Sequence, residues 1–80
     1  MSLSSQEELA LRVIVENYDV EKGVFFVKKY EEYEGYNFNY FLSLFKALER
    51  KGFIYDIVNM SPGTRGRITQ EGFYTFMKRG

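Results

Sequence analysis

Between residues 9 and 18 the apolar side chains Leu9, Ala10, Val13, Ile14 and Tyr18 recur at three- and four-residue steps, the spacing that lines one face of a helix. Ser5 and Glu8 stand in the S-x-x-E relation, in which a hydroxyl and a carboxylate satisfy the free amides of a first turn, so the helix is predicted to begin there. Leu11 and Val15 lie off that face and widen the apolar surface, toward either burial or a partner. From Asp19 to Gly35 the pattern is mixed. Val24-Phe25-Phe26-Val27 would suit a buried strand, yet Phe26, Tyr30 and Tyr33 fall at i, i+4 and i+7. Lys28 can pair with Glu32 at i+4, and strict alternation fails after Val27, so a second helix ending at Gly35 is predicted. A third helix, capped by Asn37 or Asn39 and running to Lys51, turns Phe38, Phe41, Leu44 or Phe45, and Leu48 inward, with Gly52 closing it at the C′ position.

After Gly52 the period changes. Phe53 to Val58 is rich in β-branched and aromatic residues and is predicted to be a strand. Pro62 and Gly63 suit the two central positions of a type II turn at a hairpin tip spanning Asn59 to Thr64. Arg65 to Ile68 returns as a short second strand, and Thr69 caps a last helix from Gln70 to about Arg79. No internal repeat, linker or low-complexity tract interrupts the 80 residues, and 45% apolar content supports one core, so residues 1–80 are expected to form a single α+β domain.

Three helices, a two-stranded hairpin and a closing helix are the order of a winged helix-turn-helix domain. Leu48-Glu49-Arg50-Lys51-Gly52-Phe53-Ile54 resembles the exit from the recognition helix in winged-helix regulators of the MarR and PadR families, and Ile68-Thr69-Gln70-Glu71-Gly72 resembles their passage from second wing strand to final helix. The resemblance covers roughly residues 36 to 80 and implies a small DNA-binding transcriptional regulator. Each landmark also has a physical sense: Leu48 anchors the helix, Gly52 permits a left-handed turn, Thr69 caps, and Gly72 allows close backbone approach.

Eleven Lys and Arg balance eleven Asp and Glu, so no bulk charge announces nucleic acid or an anionic membrane. The balance is uneven along the chain. Residues 1–35 hold four cations against eight carboxylates, and residues 36–80 hold seven against three, giving −4 and +4. The absence of Cys and His removes disulfides, thiolate nucleophiles, imidazole acid–base chemistry and zinc sites built on those ligands. Neighbouring carboxylates such as Glu31, Glu32 and Glu34 diverge on a helix, and no complementary base or Gly-rich phosphate loop accompanies them. Neither an enzyme nor a metal or cofactor is therefore expected. The longest apolar runs are too short to span a membrane and Met1-Ser2-Leu3-Ser4 resembles no signal peptide, so a cytoplasmic location is expected.

With Phe41, Phe45 and Leu48 inward, Asn39, Tyr40, Ser43, Lys46 and Arg50 lie on or near the opposite face of the third helix, as candidates to meet bases and phosphates of double-stranded DNA. Arg65 and Arg67 alternate along a strand and point to one side, where with Thr64 they are expected to hold the backbone or enter the minor groove. The C-terminal cations are thus expected to gather on one surface. Leu11 and Val15, with Phe73, Tyr74, Phe76 and Met77 of the last helix, are the candidates for a homodimer interface that would double the cationic contacts; completion of a small core explains them as well. The competing expectation is a protein-interaction module that binds no DNA, supported by the acidic first half and the seven Tyr among fifteen aromatic residues.

Overall fold

The computed structural model describes residues 3–79, without the side chain of Arg79, so Met1, Ser2 and that cation lie outside the described residues. Helix α1 (Ser5–Glu16) is capped by Ser4 rather than Ser5: Glu7 N donates to Ser4 Oγ at 3.1 Å, and Ser4 N to Glu7 Oε1 at 2.9 Å. The same S-x-x-E spacing fits one residue earlier, and that register buries Leu3 and lets Glu7 reach Lys51.

Lys51 Nζ donates to Glu7 Oε1 at 2.7 Å, and this bond, with the Ser4 amide, holds the Glu7 carboxyl below the usual carboxylate range. A depressed folded-state value means stabilisation that is present above the unfolded-state value and lost as pH falls through the folded one. Glu7→Gln should therefore destabilise by on the order of 1 kcal/mol at neutral pH. In urea titrations across pH, the gap to the parent should close once the carboxylate of the parent is protonated.

The segment expected to be the second helix is built from strands instead. Between α1 and the next helix the chain forms β1 (Tyr18–Asp19), β2 (Val24–Lys28), β3 (Glu32–Tyr33) and, just past that segment, β4 (Tyr36–Asn37). In β2 the alternation is simple, with Phe25 and Val27 buried and Lys28 exposed. The helical spacing of Phe26, Tyr30 and Tyr33 is not realised: Tyr30 is 85% exposed, and Lys28 pairs with Glu31 rather than Glu32. The β1–β2 turn is shaped by Asp19 Oδ1, which accepts the amides of Glu21 and Lys22 at 3.0 and 3.2 Å. β3 and β4 pair through a two-residue turn at Glu34 and Gly35, both at positive φ as a tight hairpin requires.

Helix α2 (Phe38–Arg50) is capped by the Asn37 side chain, and its buried residues are Phe38, Phe41, Phe45 and Leu48. It ends as expected. Gly52 has φ +83°, its amide donates to Glu49 O at 3.0 Å, and Phe53 N donates to Leu48 O at 3.0 Å, the paired bonds of a Schellman close. Strands β5 (Ile54–Met60) and β6 (Gly63–Ile68) form the hairpin, with Met60 opposite Gly63. The connection is therefore Ser61-Pro62 and not a type II turn centred on Pro62-Gly63. Gly63 is drawn into β6 because it lies against the Val27 backbone, where a Cβ would strike the carbonyl. Helix α3 (Gln70–Arg79) is capped by Thr69, whose Oγ1 accepts the Gly72 amide at 3.0 Å, and Gly72 sits so close to the Phe53 carbonyl that a Cβ would collide with it.

All pairings in the main sheet are antiparallel, in the order β1-β2-β6-β5. One side is covered by helices. Phe25 of β2 meets Phe45 of α2 edge to face at 6.3 Å, and α1 packs against α2, α3 and β2 around Ala10, Leu11, Val13 and Ile14. Between Tyr55 and Val58 the β5 strand bulges by one residue, with Asp56 at φ +57°; the facing Gly66 leaves room for Ile57 and the Phe25 ring.

The expected architecture of three helices, a hairpin wing and a fourth helix is thereby corrected. The order is helix, four short strands, helix, two strands, helix, so no second helix stands between α1 and α2 to form a helix-turn-helix pair. Strand β2 wins over a helix because pairing with β6 buries Phe25 and Val27 from the same side as α1 and α2.

Candidate nucleic-acid interface

The apolar side of α2 faces the core, so the helix presents Asn39, Ser43, Lys46 and Arg50 to solvent at steps of four, three and four residues. All four are exposed, and only Glu49 contributes a carboxylate to the helix. Neither Lys46 nor Arg50 is held in an ion pair among the described residues. Tyr40 is half-buried at the edge of this face, its ring stacked on Tyr36 with centroids 4.3 Å apart. Lys46 also borders a small groove with Leu42, Ile57 and Asn59.

Of the acidic residues of the preceding segment, Glu31, Glu32 and Glu34 lie around β3 and β4. Two are neutralised by exposed pairs, Arg12 with Glu34 at 3.4 Å and Lys28 with Glu31 at 3.4 Å, while Glu32 is exposed. Arg12, Lys28 and Lys29 thus balance Glu31, Glu32 and Glu34 there, whereas the C-terminal half of α2 carries Lys46 and Arg50 against Glu49 alone. Phosphates would be favoured toward Lys46 and Arg50.

The expected hairpin contacts lie elsewhere. Thr64, Gly66 and Ile68 are buried on the helix-covered side of β6, so Arg65 and Arg67 point from the opposite side of the sheet. Thr64 is 1% exposed and donates to Asn59 Oδ1 at 2.8 Å, which removes it from the solvent contacts expected of it. Arg67 is engaged by Asp56, Nε to Oδ2 3.5 Å, and its guanidinium donates to Gly23 O at 3.4 Å. The expected gathering of cations on one surface is thus corrected: Lys46 and Arg50 remain together on α2, and Arg65 and Arg67 together on the outer sheet face, with the sheet between them.

The candidate subunit contact is also redistributed. Leu11 is in the core, and Val15, Phe73 and Phe76 are half-buried against it, Phe73 edge-on to Tyr18 at 5.0 Å. Only Tyr74 and Met77 stay well exposed, at 65% and 72%.

A surface not foreseen from the sequence is the outer face of the sheet, an open concavity of about 730 Å³ lined by Lys22, Val24, Phe26, Val58, Arg65 and Arg67. The signal was present in the alternation of Val24, Phe26 and Lys28, which the helical spacing of the same segment obscured. Among the described residues no group of His, Cys, Asp or Glu is arranged to hold a metal ion, and no helix is long and apolar enough to cross a membrane. Compared with family models, curated proteins and solved structures, the chain matches none.

Proposed function

We propose that this protein binds double-stranded DNA through the solvent face of α2 and acts as a small transcriptional regulator. One observation carries the reading: Asn39, Ser43, Lys46 and Arg50 share an exposed helix face whose cations have no carboxylate partner among the described residues. An α-helix fits the major groove, where Asn reads an adenine edge in two hydrogen bonds and Lys or Arg reads guanine or holds phosphate. The centre of a protein–protein contact, by contrast, is depleted of Lys and Ser and rich in aromatic residues. The α2 face has the first composition. A homodimer would be left Tyr74 and Met77 of α3, against roughly 20 to 30 residues a side in a standard interface, so the proposal is carried by one chain.

The test is an anisotropy titration of a random-sequence duplex at several salt concentrations. Two cations on the face set an expected slope of log K against log salt of about −1.8, steeper if further contacts form. Absence of binding at low salt, or binding indifferent to salt, contradicts the proposal. Selection of bound sequences from a random pool then reads the contribution of Asn39.

A further inference from the structure

The outer face of the sheet has a composition unlike that of α2. Phe26, Arg65 and Val58 lie side by side across three strands, and in the next row Arg67 stands beside Tyr55, which is 46% exposed. Two carboxylates border this face, and both are engaged within it. Asp19 accepts the amides of its own turn, and Asp56 receives Arg67. Arg65 and Lys22 are left without an ion-pair partner among the described residues. Lys22, Arg65 and Arg67 outnumber Asp19 and Asp56 by one charge, so the surface is weakly positive, concave and flanked by flat apolar groups, a complement to an anion that carries flat apolar groups of its own.

We infer that this face is a second binding site, specific for single-stranded nucleic acid: Phe26 and Tyr55 stack unpaired bases while Arg65 and Lys22 hold the phosphates. Stacking on aromatic side chains beside a cationic track is the general means of binding a single strand, because every base offers a π face. In a duplex those faces are covered by neighbouring pairs, so this chemistry separates the sheet site from the α2 site. A second copy docked on the same face about a two-fold axis would bring two faces of like net charge together, an arrangement that like charge disfavours.

The experiment uses the whole chain and a labelled oligothymidine of about 15 nucleotides, within the span of known single-strand sites. An acidic peptide of Glu and Tyr serves as competitor. Tyr55→Ser should weaken oligonucleotide binding by roughly 5-fold or more. Arg65→Gln should weaken it and reduce the salt slope by about 0.7. Arg65 is exposed, so Arg65→Gln should leave thermal melting unchanged; Tyr55 is only 46% exposed within β5, so Tyr55→Ser should lower it by about 4 to 8 °C while the protein stays folded at the temperature of the titration. Lys46→Glu/Arg50→Glu should retain the oligonucleotide. The inference is overturned if the parent does not bind it, if both sheet variants bind like the parent, if the α2 variant loses it, or if the acidic peptide displaces it at lower concentration.

Discussion

Phe41→Ala should cost about 3 to 5 kcal/mol of stability, the range for emptying a buried aromatic site. Phe41 is fully buried, stacked on Phe45 at 6.0 Å and met edge-on by Tyr33, Tyr36 and Tyr40 at 6.5, 6.3 and 5.2 Å. It joins α2 to the β3–β4 hairpin, and no single neighbour can fill the space that its ring leaves. A domain of this length has a total stability of about 4 to 12 kcal/mol, so the variant should lose from about a quarter to the whole of it. Urea unfolding followed by far-UV circular dichroism measures the loss. A cost below about 1.5 kcal/mol, the size of a tolerated volume-conserving swap, would contradict the packing of α2 described above.

The second large effect concerns binding. Reversing both α2 cations, Lys46→Glu/Arg50→Glu, should lower duplex affinity by more than roughly 100-fold near 0.1 M salt, because two phosphate contacts become two repulsions and their counterion release is lost. The log–log salt slope should fall by about 1.8. Both residues are exposed and unpaired among the described residues, so the fold should be kept, with melting lowered only by the loss of a cation from the last turn of α2. A cooperative melt well above the temperature of the titration, with lost affinity, separates a contact from a folding defect. Retained affinity would remove α2 from the interface.

The parts of the fold legible in the chain are those set by local chemistry. The left-handed Gly52, the Thr69 cap and the inward stripe of α2 each involve residues a few positions apart and each is realised, with the structure choosing Asn37 over Asn39 as the cap and Phe45 over Leu44 in the stripe. Residues 19–35 are not legible in this way, because their state depends on a partner far along the chain. Val27 pairs with Thr64 and Phe25 with Gly66, and no local pattern reports the existence of that partner. The turn at Glu34-Gly35 between two tyrosines was a hairpin signal, read instead as the end of a helix.

The candidate site divides in the same way. Which residues of α2 face outward follows from helical period alone, so Asn39, Ser43, Lys46 and Arg50 could be named from the sequence. That Arg65 and Arg67 share a side of their strand was equally legible. Which side the helices cover was not, since it depends on β2 pairing with β6 and on Phe25 meeting α2 beneath Gly66. The same fact moved Thr64 inward and separated the two cationic pairs.

The most direct test of the α2 assignment is a map of backbone amide shifts as a short duplex is titrated into the labelled protein. The account predicts the largest changes along α2 at Asn39, Ser43, Lys46 and Arg50, with the amides of Phe26, Val58 and Arg65 nearly still. Changes concentrated on those sheet residues, with α2 silent, would contradict it.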